Sequence, residues 1–352
     1  MPLTRRQWLS CSASGILLST TGADGNTSRP RIKIGQIGVG HAHATKLSVY
    51  RASDEYEVIG VVEPDDELWA KAQSLPAFAG LKRLSRDQLL SEPGLKAVLV
   101  ETRVRDLLAH AKVCVDAGLH VHIDKPAGES LNDLQAILDT ATRKSLMVQM
   151  GYMYRYNPGI ILLREFLKNG WLGELFELQT VMSKVLGSED RKELAEYPGG
   201  SMFELGCHVI DLVVAILGAP DRVSAFPRHS SVENDTLLDN MLAIFEYPKA
   251  TATVRSSVVE IDGGARRHLT LCGTEGTFHL QPLDQPVAKI TLSKPRGKYP
   301  AGTTEVSFPK YVRYVADAHD MAQVIRGEKP SDYPPAHDLA VQRSLLLACG
   351  LS

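Results

Sequence analysis

The chain has 352 residues, 44% of them hydrophobic, which is enough for two ordinary domain cores. Its 39 Lys and Arg nearly balance 41 Asp and Glu, the formal net charge is -2, and aromatic residues make up only 6%. With no basic patch and no interleaving of basic and aromatic residues, a nucleic-acid surface is excluded, and no apolar run reaches the roughly 20 residues that a membrane-spanning helix needs.

The N-terminus differs in character from the rest of the chain. TRRQWLS (Thr4 to Ser10) precedes a weakly apolar run, Cys11 to Thr21, and then Thr21-Gly22-Ala23. Twin arginines, a modest apolar segment and a small-x-Ala site predict a twin-arginine export signal cleaved after Ala23. Residues 1–30 are then signal and linker, and the destination is the periplasm; a disordered basic N-terminus on a cytoplasmic protein is the alternative. Cys114, Cys207, Cys272 and Cys349 show no CxxC pair and no zinc-like spacing, so they are read as small buried hydrophobes.

Residues 31–150 alternate strand and helix. RIKIGQIGV (Arg31 to Val39) is a short apolar strand that runs into IGQIGVGHAHATKL, with Gly38, Gly40 and then His43 at the third position of a dinucleotide fingerprint. A helix carrying Ala44, Leu47 and Val49 comes next, and a second strand, YEVIGVVEP, ends in Glu63. Gly38 allows the tight turn, Gly40 lets the backbone approach a pyrophosphate, and Glu63 can accept both ribose hydroxyls. A carboxylate there repels a 2′-phosphate, so NAD is expected rather than NADP. His43 stands where a small residue usually serves close packing; it and His41 point either toward cofactor and substrate or into local hydrogen bonds.

Helices are expected over Asp66 to Gln73, over Val104 to Ala117 and from the Ser130/Asp133 capping pattern through Leu138, with strands at Ala97 to Glu101, His120 to Ile123 and Ser145 to Met150. Apolar strands alternating with helices predict a doubly wound parallel sheet, whose ligands bind outside the carboxyl ends of the strands. Gly38, Glu63, Thr102 and Lys125 all fall at such ends, so Lys125 of HVHIDKPAGES is expected to face the cofactor.

The glycine turn together with Asp124-Lys125-Pro126 after the strand His120 to Ile123 resembles the glucose–fructose oxidoreductase/inositol dehydrogenase/MocA (Gfo/Idh/MocA) family. That family usually has Glu-Lys-Pro, so Asp124 is a conservative departure. The resemblance gives Lys125 the role of contacting the nicotinamide ribose and a substrate hydroxyl. It also implies cofactor contacts at Val39 and Pro126 and at Thr102, although Thr102-Arg103-Val104 stands in place of the usual Thr-Pro-Asn.

GYMYRYNPG (Gly151 to Gly159) resembles the family's entry into its second domain, taken as 151–352, and the C-terminal helices resemble its closing segment, expected to pack back on the first domain. A helix over Ile160 to Lys168 leads to ELFELQTVMS; NMLAIFEYP, ATATVRSSV and RRHLTLCGTEGTFHL alternate at strand period. These predict an α+β domain with a large, mostly antiparallel open sheet. The resemblance implies that its open face makes a homo-oligomer.

Between these stretches lies GGSMFELGCHVIDLVVAILG (Gly199 to Gly218). Read as one α-helix at about 100° per residue with Glu204 at zero, His208 falls near about 40° and Asp211 near about 340°, opposite an apolar face. Buried ionisable groups are paired or functional, so this stripe is expected to line a cavity. The open alternatives are a capping box closed by Glu204 on Ser201, a satisfied core histidine, an Asp211 that orients His208 or pairs elsewhere, and a metal held by all three, which is not the expectation. In the family this segment carries Asp-x-Gly-x-His, whose acid and histidine bind substrate hydroxyls and move the proton; here it reads Glu204-x-Gly206-x-His208.

The expected activity is hydride transfer between NAD and a hydroxyl-bearing carbon of a sugar, polyol or sugar derivative. His208 serves as acid or base, and Lys125 polarises the oxygen. Tyr154 and Arg155 are candidates for substrate hydroxyls, Arg155 alternatively bracing the domain junction, with Asp211 in support. Export implies a cofactor that is tightly held and regenerated in the cycle. Glycoside cleavage by transient oxidation and elimination is the alternative, with Tyr154 or Glu204 as second base. A non-catalytic sugar or nucleotide sensor is the reading from another class.

Overall fold

The computed structural model describes residues 29–351. The expected export signal and its cleavage site lie outside them. A first sheet is built from β1 (Ile32–Ile37), β2 (Tyr56–Val62), β3 (Leu95–Val100), β4 (His120–Ile123) and β5 (Val148–Met150), all parallel, in the order β2-β1-β3-β4-β5. Between its strands run α1 (Leu47–Ala52), entered through a 3-10 turn at Ala44–Lys46, α2 (Asp66–Gln73), α3 (Arg86–Leu90), α4 (Leu107–Asp116) and α5 (Leu131–Arg143). Strands buried on both faces are mostly apolar, and β3 (LKAVLV) is buried at every position but Lys96, while β1 and β4 each bury one polar side chain, Gln36 and His122.

Local chemistry sets the ends of these elements. Asp65 accepts the Glu67 and Leu68 N–H groups at the start of α2, and Ser130 Oγ accepts the Asp133 N–H at the start of α5. The expected strand from Ser145 begins only at Val148, because Ser145 turns in the left-handed region (φ 56°). The short α3 was not anticipated, although Ser85 and Gln88 close a full capping box there.

After α6 (Pro158–Lys168) the chain enters a second sheet through β6 (Leu175–Ser183); α7 (Ser188–Leu194) follows, and α8 (Cys207–Leu217) packs on the sheet. The other strands are β7 (Arg222–Arg228), β8 (Asn240–Glu246), β9 (Thr251–Ser257), β10 (His268–Gly273), β11 (Gly276–Leu280), β12 (Val287–Leu292) and β13 (Gly302–Ser307). Their order is β13-β12-β11-β10-β6-β9-β8-β7, antiparallel except for the parallel β6–β9 pair. On β8 and β9 alternate residues (Met241, Ala243, Phe245; Ala252, Val254) are buried, as period-two patterning requires.

The chain closes with α9 (Val315–Ile325) and α10 (Pro335–Ala348). Both reach back to the first domain, α9 to strands of its sheet and α10 to α5 and the loop after β4. The Ala318 carbonyl accepts the Tyr56 hydroxyl, the Asp317 carbonyl accepts Gln149 Nε2, and Gln342 Nε2 donates to the Gly128 carbonyl.

Candidate active site

At the carboxyl edge of the first sheet the chain turns at Gly38 (φ 87°), where a Cβ would lie 2.6 Å from Thr102 Cγ2 and 2.7 Å from its backbone. Only glycine fits that turn. A Cβ on Gly40 would meet nothing closer than 3.5 Å, so the space above it is open. Glu63, at the end of β2, receives the N–H of Val39 at 3.0 Å on one oxygen and that of Asp65 at 3.0 Å on the other. The Val39 N–H is therefore engaged by Glu63, whereas each Glu63 oxygen keeps a lone pair for a hydroxyl.

These groups open on a cavity of about 800 Å³ lined by Gly38, Gly40, Glu63, Thr102, Arg83, Arg86 and Arg103, among others. Arg83 is held by the carbonyls of Glu63 and Pro64 and by Asp66. A glycine turn, an open backbone approach and an acid at the end of the second strand suit the adenosine and pyrophosphate of a dinucleotide.

Lys125 leaves β4 fully buried, and its ammonium bonds both the Glu204 carbonyl (2.9 Å) and the Glu204 carboxylate. Burial opposes the charge on Lys125, but the carboxylates of Glu204 and Asp124 outweigh it and raise its pKa. The same pairing lowers the Glu204 pKa despite burial. Pro126 is buried behind Lys125, its carbonyl accepting the Gly128 N–H.

Glu204 sits in a π-helical turn, Met202–Gly206, that precedes α8. The expected continuous α-helix is thus interrupted, and the wider turn shifts Glu204 relative to His208. A Cβ on Gly206 would come within 2.5 Å of Met202 Sδ, so that side chain would have to shift to admit one. No capping box forms: Ser201 Oγ donates to the Ser256 carbonyl instead.

The expected polar stripe divides three ways. Glu204 lines a cavity of about 250 Å³ with His41, Arg103, Lys184 and Tyr197. His208 lies beneath, 1% exposed, its ring near those of His43 (5.8 Å), Tyr154 (6.0 Å) and Tyr152 (6.3 Å). Burial, then the charge of Lys125, holds its pKa well below the ordinary histidine value. Asp211 faces elsewhere, which removes it as a ligand of a three-residue metal set and as an orienting group for His208.

Asp211 and Arg155 were expected at the substrate. The structure instead seals them in an ion network: the Arg155 guanidinium bonds Asp211 (2.7 and 3.2 Å) and Asp338 (2.5 Å), and His337 Nε2 donates to Asp211 at 3.0 Å. Tyr333 and Tyr152 pack on the guanidinium at 4.0 and 4.9 Å. Arg155 is 1% and Asp211 0% exposed, so their polar groups are spent on bracing the loop after β5, α8 and α10 together. Tyr154 is also buried; its hydroxyl donates to Asp284 at 2.9 Å, and Arg267 and Arg313 pair with the same carboxylate. Tyr154 and Glu204, the two groups considered as a second base, are therefore both engaged.

Sequence reading missed a cluster behind the glycine turn. Lys46, buried in the turn before α1, bonds Asp124 (2.7 Å) and His122 Nε2 (2.9 Å) and lies 3.0 Å from Glu101. His41 Nε2 donates to the Lys125 carbonyl (3.0 Å) while its Nδ1 lies 3.0 Å from Asp124, and His43 Nδ1 approaches Asp124 at 3.3 Å. The neighbouring cations overcome burial and drive the Asp124 pKa far down. His41, His43 and Asp124 converge as metal ligands would, and so do Asp211, His337 and Asp338, but each group already holds a fixed cation, Lys46 or Arg155. Lys184 was also missed; its pKa is lowered by burial. No local pattern marks Lys46 or Lys184, because each meets its neighbours only through the fold.

The family model described as an oxidoreductase family with an NAD-binding Rossmann fold matches residues 32–152, and the Gfo/Idh/MocA C-terminal domain matches residues 160–279. Together they cover more than half of the chain. The chain belongs to the Gfo/Idh/MocA oxidoreductase family. Among curated members, glucose-6-phosphate 3-dehydrogenase of Bacillus subtilis is 27% identical over 64% of this chain and 65% of its own length. Trans-1,2-dihydrobenzene-1,2-diol dehydrogenase of Bos taurus is 23% identical over 64% of this chain and 66% of its own. The matched part thus spans just under two thirds of these relatives. A solved UDP-N-acetylglucosamine 3-dehydrogenase from Acidithiobacillus ferrooxidans superimposes with a TM-score of 0.76 at 20% identity, covering 91% of this chain and 97% of that one. At that identity the likeness speaks for the shared fold, a parallel Rossmann sheet beside a large, mostly antiparallel one.

Proposed function

We propose that this family member is an NAD(P)-dependent oxidoreductase that moves hydride to or from a hydroxyl-bearing carbon of a sugar, polyol or sugar derivative. The observation that carries the reading is that the buried Lys125 ammonium lies within electrostatic reach of buried His208, whose ring is 5.8 Å from that of His43 in the loop after the glycine turn. Curated relatives that act on glucose 6-phosphate and on D-xylose support the substrate class.

The bound nicotinamide would supply the hydride chemistry, and the chain's groups would hold and steer it. Gly38 and Gly40 would admit the pyrophosphate, and Glu63 would accept ribose hydroxyls. NAD is favoured over NADP because Glu63 is acidic and its nearest guanidinium, Arg83, is already bonded to two carbonyls and Asp66. Lys125, released from the Glu204 carboxylate, would donate to the substrate oxygen and stabilise negative charge there, while His208 would exchange the hydroxyl proton.

The reading includes export by the twin-arginine route with a tightly held cofactor, and a second copy packed on the outer face of the eight-stranded sheet. Mass spectrometry of the supernatant from denatured, periplasmically purified protein tests it. Near-stoichiometric NAD(H) is the expected result. Protein that carries no nucleotide and binds none when NAD is added contradicts the reading.

A further inference from the structure

His208 has no way of its own to pass on a proton. It is 1% exposed, its Nδ1 is sealed without a hydrogen-bond partner, and Lys125 opposes its positive charge. A base so placed must pass its proton on within each turnover. Of its ring neighbours, Tyr152 is buried, and the Tyr154 hydroxyl is already given to Asp284. His43 is different. Its side chain is 21% exposed, its ring centroid is 5.8 Å from that of His208, and its Nδ1 faces the Asp124 carboxylate at 3.3 Å.

Asp124 only accepts, so Nδ1 of His43 carries the hydrogen and Nε2 presents a lone pair. Nε2 has no partner among the described residues. This is an acid-backed imidazole between a buried imidazole and solvent, at a fingerprint position where a small residue would suffice for the nucleotide.

We propose that His43, backed by Asp124, is a second acid–base group of this site that relays the substrate proton between His208 and solvent. The proposal rests on the hydride-transfer reading. In oxidation, the substrate O–H bond breaks and its proton forms a bond to His208 Nε2. The C–H electron pair leaves as hydride for the nicotinamide ring, and C=O forms. The proton then crosses one bridging water to His43 Nε2 and goes on to bulk water, which restores both imidazoles. Reduction runs the same path backward.

Charged and titratable groups surround His43 on every side. Asp124 and Lys125 come from the end of β4, Lys46 from the turn before α1, His41 from its own loop, His208 from α8 and Tyr314 from before α9, with Glu204 also within electrostatic reach. Burial lowers the His43 pKa to about 4 although Asp124 raises it, so it holds a proton only in passing.

Two measurements test the relay. In steady state, His43→Gln keeps a donor toward Asp124 but carries no proton. It is expected to lower kcat about 100-fold, the lower range for a positioned acid–base group. It should also enlarge the solvent deuterium isotope effect and recover turnover with added imidazole, at unchanged NAD affinity. Wild-type kcat and isotope effect in H43Q, or a loss that imidazole does not repair while Tyr154→Phe shows the enlarged isotope effect, overturns the proposal. The second measurement needs neither nucleotide nor turnover. Long-range proton–nitrogen NMR of the nucleotide-free protein should show His43 with hydrogen on Nδ1 and a bare Nε2, shifting to the other tautomer in Asp124→Ala. Hydrogen on Nε2 in the wild type overturns it, whatever becomes of the redox reading.

Discussion

Replacing Arg155 by methionine should unfold the protein more readily without altering how it meets its substrate. The guanidinium makes bonds of 2.5 to 3.2 Å to two carboxylates that are 0% and 2% exposed, and it lies 4.0 Å from the Tyr333 ring centroid. A buried pair replaced whole by apolar groups can be neutral, but removing one partner strands the other, at a cost of about 3–5 kcal/mol. Here two carboxylates are stranded. Asp338, whose pKa burial already raises, can take up a proton; Asp211, whose pKa Arg155 and His337 hold down against burial, loses its main partner. R155M should therefore lower the unfolding free energy by the upper part of that range, and adding Asp211→Asn should return about 1–3 kcal/mol. The assay is tryptophan fluorescence against denaturant, with KM measured on the same preparations. A cost under about 1 kcal/mol together with a raised KM would refute the brace and restore Arg155 to the substrate.

Lys125→Met should reduce kcat by about 100- to 1,000-fold, the scale of losing one donor to a developing oxyanion, with NAD affinity within a few fold as measured by calorimetry. Gly38→Ala places a Cβ 2.6 Å from Thr102 at φ 87°, and should cost about 1–3 kcal/mol and weaken NAD binding, read by thermal midpoint and calorimetry. His122 gives a pH prediction: burial and then Lys46 hold its folded pKa to about 3, against 6.5 when unperturbed. Above pH 6.5 its contribution is fully present. As pH falls toward 3 the unfolded chain takes up a proton that the folded chain refuses, and stability drops about 1.4 kcal/mol per pH unit. His122→Gln should flatten that acid limb in denaturation curves between about pH 6 and pH 4.

The sequence carried the first sheet closely because its strands are mostly apolar and its glycine turn is local chemistry. The α2 boundaries at Asp66 and Gln73 and the β4 boundaries at His120 and Ile123 coincide with expectation. β7, β12 and β13 and the short α7 were not anticipated; β7 is only partly buried and shows no clean alternation. The helix stripe misled for a geometric reason: a 100° wheel presumes an α-helix, and the π-turn at Met202–Gly206 breaks the phase between Glu204 and the residues after it. Asp211 turned to a partner on a helix more than a hundred residues later, His337, which no spacing rule reveals. Lys46 looks like an ordinary helix-face lysine in sequence, and only the fold brings it to Asp124, His122 and Glu101.

The central claim, that Lys125 and His208 serve hydride transfer at a hydroxyl-bearing carbon, is tested most directly by isotope transfer. Wild-type protein would be incubated with NADH deuterated at the transferable position of the nicotinamide and a panel of keto-sugars, and the products weighed by mass spectrometry. The account predicts one deuterium on the new carbinol carbon of at least one sugar, lost in Lys125→Met and in His208→Gln. Protein that binds NADH but transfers deuterium to none of them, or variants that transfer it as fast as wild type, would contradict it.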